Sequence, residues 1–131
     1  MRAGVGALVV DGERVLLLRR NKAPEAGRWG IQGGAIGFGE TAEEAARREL
    51  AEELGVECEV VRLLGVTDHI LPEEGVHWVS PVFLARIRSG TPRNAEPEKH
   101  SGICWFDPEE LPEETTVPTK NAVELLRERP R

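Results

Sequence analysis

Three glutamates in the first half of the chain have the residue type and spacing to bind a metal ion. Glu49, Glu52 and Glu53 stand at positions i, i+3 and i+4, so a helix would present all three on one face. Carboxylates gathered this closely repel one another and need a neutralising charge. No Cys or His occurs in residues 34–56, and a set of oxygen ligands suits Mg²⁺ or Mn²⁺ better than zinc.

The flanking residues predict that these glutamates do lie on a helix. Thr41 and Glu44 form the S/T-x-x-E pattern of a capping box, which starts the helix just after Glu40. Gly55 can end the helix as its C-terminal cap. The residues between these limits contain neither glycine nor proline. We therefore expect one continuous helix under the acidic face.

The same helix has residues that can fix its orientation. Leu50 and Leu54 lie beside the acidic arc and are expected to anchor the helix to a core. Arg48 lies one turn before Glu52, where it can pair with that carboxylate. The alternative is a solvated helix whose charges only pair with each other. Its i, i+4 pairs would be Glu43–Arg47 and Glu44–Arg48.

A glycine-rich segment directly precedes the predicted helix. Residues 33–39 read Gly-Gly-Ala-Ile-Gly-Phe-Gly. In such a loop the backbone N–H and C=O groups are free of side-chain obstruction, and a loop that leads into a helix N-terminus can bind phosphate. A metal site beside a phosphate site indicates phosphoryl chemistry.

This segment resembles the signature motif of the Nudix hydrolases. The pattern is Gly34, five residues, Glu40, seven residues and then Arg-Glu-Leu-x-Glu-Glu-x-Gly-Val at residues 48–56, with every fixed position present. The resemblance implies an α/β fold, the Nudix-type α/β/α sandwich with a mixed central β-sheet between helices, as a single domain over residues 1–131. It also implies hydrolysis of a nucleoside diphosphate linked to another group. The Mg²⁺ or Mn²⁺ would be bound by the carbonyl of Gly34 and by Glu49, Glu52 and Glu53.

The resemblance leaves the general base open. Some members of the family take it from the motif, where Glu52 and Glu53 are the candidates. Others take it from a later loop, where Glu96 is the first candidate because it lies several residues before a Trp-Phe pair, and Glu98 is the second. A histidine near the site could also donate a proton. The three histidines are His69, His77 and His100.

Resemblance to MutT-type members also suggests the substrate contacts. Arg20 ends a predicted strand and is expected to face the substrate. Gly33 and Gly34 would present backbone groups to the phosphates. Asn121, near the start of the last helix, offers both a donor and an acceptor to the edge of a base.

Three functions remain open at this level. A nucleoside triphosphate pyrophosphohydrolase of the MutT kind is favoured. An ADP-ribose or nucleotide-sugar pyrophosphatase is the alternative, because Pro72 lies sixteen residues past the motif, where ADP-ribose members carry a proline. A nucleotide-binding regulator without catalysis is the third, and the complete set of motif glutamates argues against it.

Composition and charge bear on the number of domains, the partners and the location of the protein. The 131 residues are 40% hydrophobic and carry a formal charge of −6, which fits one domain and disfavours stable nucleic-acid binding. No apolar run reaches membrane-spanning length, and the opening residues lack a signal-peptide pattern. Cys58 and Cys104 are expected to be reduced core residues, as in a cytoplasmic protein. A nucleotide is the expected partner, and a homodimer is possible.

Alternation of apolar residues and turn signals predict the remaining elements. The Asp11-Gly12 pair predicts a hairpin between the first two strands. Thr119 is expected to cap the last helix, Lys120–Arg129. Strands are predicted at residues 3–10, 14–20, 57–67, 77–87 and 103–107, and loops at residues 68–75 and 89–100.

Overall fold

Seven strands and two helices make up the fold, which is described here from a computed structural model covering residues 1–128. The strands belong to one mixed sheet. No helix within residues 1–128 is long and apolar enough to cross a membrane. The elements are β1 (Arg2–Asp11), β2 (Arg14–Arg20), β3 (Trp29–Gly30), β4 (Gln32–Ala35), α1 (Ala42–Leu54), β5 (Glu57–Leu71), β6 (Val76–Ser89), β7 (His100–Phe106) and α2 (Val117–Arg127), with a short 3-10 turn at Pro72–Glu74.

The sheet is mixed because β1 and β6 run parallel while the other paired strands are antiparallel. The strand order is β3-β2-β1-β6-β5, with β4 also on β1 and β7 also on β2. A parallel pair needs a long crossover connection, and the segment from β2 to β5 that contains α1 provides it. The predicted mixed sheet is confirmed.

Alternation along β1 places the two helices on opposite faces of the sheet. Ala7 belongs to the buried cluster that contains Leu50 of α1, whereas Leu8 belongs to the cluster that contains Ala122 and Val123 of α2. Successive side chains of a strand point to opposite faces. The α/β/α arrangement is therefore confirmed, and α1 is anchored by Leu50 and Leu54 as predicted, both fully buried.

The segment 68–75 is not the predicted loop. β5 continues to Leu71, its polar residues pairing with β6 at Asp68↔Val79 and His69↔Trp78. The chain then turns through the 3-10 turn, and Gly75 adopts the left-handed conformation, with φ 67°. Pairing with β6, the next strand across a tight turn, outweighs the weak local preference of these polar residues.

Helix α2 starts three residues earlier than predicted. It begins at Val117 with Thr116 as its N-terminal cap residue, so Thr119 lies inside the helix, fully buried. The predicted end at Arg129 lies outside the described residues. Of the two cysteines, Cys58 is buried as expected but Cys104 is exposed. Cys104 lies on β7, which among the described strands pairs with β2 alone and so forms an edge of the sheet.

Candidate active site

Local interactions define both ends of α1. The Thr41 hydroxyl accepts the N–H of Glu44 at 3.1 Å, and the Glu44 carboxylate accepts the N–H of Thr41 at 2.8 Å. These are the two bonds of the predicted capping box. At the other end Gly55 has φ 68° and donates its N–H to the carbonyl of Ala51. The predicted helix carrying the three glutamates therefore forms as expected.

Arg48 connects the acidic residues of the motif. Its Nη1 lies 3.3 Å from the Glu52 carboxylate as predicted, and 3.0 Å from Glu49 Oε1. Its closest partner is Glu40, with Nε 2.7 Å from Oε2. This arginine, followed by the Gly37 N–H, lowers the pKa of Glu40 to about 2. Arg48 thus fixes the side chains of Glu40, Glu49 and Glu52 together.

The alternative in which the helix charges only pair with each other fits less well. The Glu43–Arg47 pair is present at 3.6 Å, with both side chains more than half exposed. Glu44 caps the helix instead of pairing with Arg48. Since Arg48 also donates to the carbonyl of Ala35 at 3.0 Å, it joins the helix to the preceding segment. The acidic face is therefore part of the tertiary structure.

The three motif glutamates differ in burial and protonation. The side chain of Glu53 is buried and accepts the N–H of Gly33 at 3.2 Å. Burial first, and then the charge of Glu49, raise the pKa of Glu53 well above its usual value. Burial also raises the pKa of Glu49, against the opposing effect of Arg48. The side chain of Glu52 is 47% exposed.

A hard divalent cation fits the chemistry of these residues. Every available donor is an oxygen, from Glu49, Glu52, Glu53 and the carbonyl of Gly34. Gly34 packs so closely on Glu49 that a methyl group there would overlap Glu49 Oε1. Within residues 1–128 no three acidic, histidine or cysteine side chains are already arranged as a metal site. Arg48 contacts two of the glutamates, Glu49 and Glu52. A cation bound between Glu49 and Glu53 would relieve the repulsion that helps to raise the pKa of Glu53.

The loop that follows β6 brings Glu96 to this acidic face. Ala95 donates its N–H to the carbonyl of Glu53 at 3.0 Å, and the charge of Glu96 contributes to the raised pKa of Glu53. Lys99 lies 3.1 Å from Glu96, and Glu96, followed by Glu49 and Glu53, raises its pKa. Glu98 is exposed. Of the two later glutamates, Glu96 is thus the one beside the motif.

A cavity of about 190 Å³ lies on the α2 face of the sheet, next to the acidic residues. It exists partly because β1 carries glycine at position 6, where a methyl group would already press on Ile31 and Val82. Gly33 and Gly34 line the cavity and also contact Glu53 and Glu49. The cavity walls include Arg20, Glu25, Gly33, Gly34, Thr67, His69, Trp78, Ser80, Thr116 and Pro118.

Of the residues suggested as substrate contacts, Arg20, Gly33 and Gly34 lie at this cavity and Asn121 does not. Because α2 starts at Val117, Asn121 falls in its second turn, and Thr116 and Pro118 reach the cavity wall instead. The residues 33–35 are also not a free loop. They form β4, and the N–H of Gly33 is bonded to Glu53.

Two polar residues of the cavity wall, Glu25 and His69, were not singled out by sequence. Glu25 carries no motif signal, and His69 was one of three equivalent histidines. In the structure the three histidines differ in burial and position. His77 is exposed, while His100 is buried, and burial, followed by the charge of Arg20, lowers its pKa. His69 lies beside Trp78 because β5 pairs with β6. A prediction of this pairing was the signal that could have singled out His69.

The raised pKa of Glu53 makes the folded protein sensitive to pH when no metal is bound. A folded-state pKa above the usual 4.5 means that protonation stabilises the fold, and this stability is lost as pH rises through the folded pKa. In the presence of chelator we expect Glu53→Gln to have a larger free energy of unfolding than wild type at pH 7. The difference should shrink as pH falls towards 4.5. Urea unfolding across this pH range checks it, and equal stability at pH 7 would contradict it.

Comparison with known proteins gives consistent matches. The NUDIX domain family model matches residues 1–126. The structure of a MutT NUDIX hydrolase from Burkholderia pseudomallei has a TM-score of 0.92 and 46% identity, covering 95% of this chain and 97% of that one. A Mycobacterium tuberculosis protein named "Putative 8-oxo-dGTP diphosphatase 2" is 36% identical over 87% of this chain and 79% of its own. A Methanocaldococcus jannaschii ADP-ribose pyrophosphatase is 33% identical over 81% of this chain and 64% of its own.

Proposed function

The chain belongs to the NUDIX family of hydrolases, and from this we propose that it hydrolyses nucleoside triphosphates to nucleoside monophosphate and pyrophosphate. One observation carries the proposal. Gly33 and Gly34 lie between the cavity and the carboxylates of Glu49 and Glu53. A nucleotide with its base in the cavity would therefore have its phosphates next to the acidic face.

The residues suited to hold the divalent ion are Glu49, Glu52, Glu53 and the carbonyl of Gly34. When bound, Mg²⁺ or Mn²⁺ neutralises phosphate charge and lowers the pKa of a water molecule. Arg48 keeps Glu49 and Glu52 oriented. Lys99 places a further positive charge near the same carboxylates, where it can offset the charge of the phosphates.

The reaction needs one water and one base. The water oxygen forms a bond to phosphorus while the bridging P–O bond breaks, and a carboxylate takes the proton released by the water. Glu52, Glu53 and Glu96 are the candidate bases. Glu53 and Glu96 lie close enough for Glu96 to shift the pKa of Glu53. Arg20, on the cavity wall, is suited to bind the nucleotide.

ADP-ribose or a nucleotide sugar is the second candidate substrate. The relative from M. jannaschii favours it, since that protein is named an ADP-ribose pyrophosphatase. Pro72, the residue that suggested this substrate, is exposed in the β5–β6 connection and does not line the cavity. The position of Pro72 therefore does not support ADP-ribose as the substrate. A regulator without catalysis is disfavoured because the motif glutamates are complete and gathered in space.

A nucleotide panel tests the proposal. We expect Mg²⁺-dependent release of pyrophosphate from at least one nucleoside triphosphate, identified by chromatography of the products, and abolished by chelator. Mg²⁺ should also raise Tm, because binding to the folded carboxylates stabilises the fold. Preferred cleavage of ADP-ribose to AMP and ribose phosphate would reverse the order of the two substrates. A protein that hydrolyses neither would contradict both.

A further inference from the structure

We propose that Glu25 and His69 form the base-recognition edge of the cavity, and that they select a nucleotide whose base presents two adjacent N–H donors, as guanine does. The proposal rests on the proposed function in one respect, since it assigns the cavity to the nucleoside part of that substrate. It adds the identity of the base and the residues that read it.

The first observation is the position of the Glu25 carboxylate. The side chain is only 7% exposed, although it belongs to the connection between β2 and β3. Its Oε2 accepts the N–H of Val117, the first residue of α2, at 3.1 Å. A helix N-terminus favours a negative charge. Arg28, the nearest arginine partner, is 4.0 Å away and 45% exposed.

The second observation is that one buried nitrogen of His69, beside Glu25, lacks a hydrogen bond. His69 Nε2 lies 2.7 Å from Glu25 Oε1. That nitrogen is nevertheless buried without a hydrogen bond of acceptable geometry. The short distance shows that the two groups are held together, and the poor angle leaves His69 Nε2 without a hydrogen bond. Both residues line the cavity, so a ligand there can complete the hydrogen bonding of His69 and use the remaining acceptor capacity of the Glu25 carboxylate.

The third observation is the backbone at Glu25. Its φ is 56°, the only positive φ outside glycine among residues 1–128. A side chain in this region is disfavoured, and such residues persist where surrounding contacts impose them, often at functional sites. Arg20, also on the cavity wall, donates its Nε to the carbonyl of Pro24 at 2.7 Å and so fixes the preceding residue. The loop thus holds the carboxylate in place before any ligand binds.

The chemistry of a carboxylate then selects among bases. An ionised carboxylate only accepts hydrogen bonds, and its two oxygens can accept from two adjacent donors. Guanine presents a ring N–H next to an amino group. Adenine and cytosine present an amino group next to an acceptor nitrogen, and uracil presents one N–H between two carbonyl oxygens. Glu25 therefore matches guanine, while Trp78 provides an indole against which a base can pack.

Titration calorimetry with nucleoside monophosphates in chelator tests this without catalysis. Wild type should bind GMP about tenfold or more tightly than AMP, CMP or UMP, the scale expected for one bidentate base contact. Glu25→Gln should lose this preference for GMP and leave the other three affinities unchanged. The glutamine keeps an oxygen for the Val117 N–H. Glu73→Gln, an exposed glutamate in the β5–β6 connection, is the matched control and should behave as wild type.

A second measurement uses only the wild-type protein, in case Glu25→Gln does not fold. IMP lacks the amino group of GMP but is otherwise the same, so it should bind about tenfold more weakly. Equal affinities for GMP and IMP would overturn the proposal. A uniform loss of affinity for all four nucleotides in Glu25→Gln would also overturn the proposal, because it would indicate that the residue only supports the loop.

The result is separable from that of the nucleotide panel. A guanine preference in chelator together with no hydrolysis would retain this inference and reject the proposed function. Pyrophosphate release without base preference in binding would retain the function and reject this inference.

Discussion

Replacing Glu53 with glutamine is expected to lower kcat by about a hundredfold or more, the scale for removing a charge that stabilises the transition state. Glu53 is buried beside Glu49, and its oxygen accepts the N–H of Gly33. Glutamine keeps this oxygen and the side-chain volume, so the fold should be preserved. The loss should therefore come from the missing charge.

Steady-state kinetics at limiting and at saturating Mg²⁺ measure this effect. Glu43→Gln is the matched control, because Glu43 lies on the same helix with an exposed side chain paired only to Arg47. It should retain wild-type turnover. If Glu53→Gln showed wild-type turnover at limiting Mg²⁺, this result would contradict the assignment of Glu53 to the metal site and its role in catalysis.

Replacing Gly33 with alanine is expected to destabilise the protein by about 3 kcal/mol, near the upper part of the usual range for overpacking. A methyl group at this position would overlap the carbonyl oxygen of Val5 and approach Gly6. Both are backbone atoms of β1, which pairs with β4 at Gly6↔Gly33. Neither strand can move away without breaking that pairing.

Urea unfolding measures the change, with Gly37→Ala as the control. At Gly37 the nearest atom is the end of the Glu40 side chain, at 3.2 Å, and the backbone φ is not positive. The control should change the free energy of unfolding by less than about 0.5 kcal/mol, as for most surface substitutions. Equal stability of Gly33→Ala and wild type would show that β4 is not held tightly against β1.

The proposed site has two parts, which different elements of the fold carry. The acidic residues lie on α1, whereas Glu25, His69 and Trp78 belong to segments far away in sequence. In the proposed function, chemistry and base selection are therefore assigned to different elements, which meet at Gly33 and Gly34. Changes at Glu25 should alter which nucleotide is used, and changes at Glu53 should alter how fast it is hydrolysed.

The acidic helix could be predicted from sequence because its determinants are local. The capping box joins residues three apart, Gly55 adopts a left-handed conformation that glycine reaches without strain, and the carboxylates share a face through helix geometry alone. The motif pattern is equally local, and it identified the family that the comparisons show. The mixed sheet followed from that resemblance and from the predicted order of elements, in which helices flank a strand-rich middle.

The start of α2 depended on contacts that local sequence does not contain. Trp29 donates its N–H to the carbonyl of Glu114, and Thr116 donates to the carbonyl of Trp29. These bonds tie the segment before the helix to β3, so the helix begins at Val117 and Asn121 lies away from the cavity. Thr119 is buried and accepts the N–H of Ile31 instead of capping the helix.

By itself the sequence determined the helix, its carboxylates and the class of chemistry, since each rests on residues within a few turns of one another. Only the tertiary structure decided which residues line the cavity in which we propose that the base binds. Glu25, His69 and Val117 meet because β5 pairs with β6, β6 runs parallel to β1, and α2 packs on the same face. Such contacts join residues tens of positions apart, and no local pattern records them.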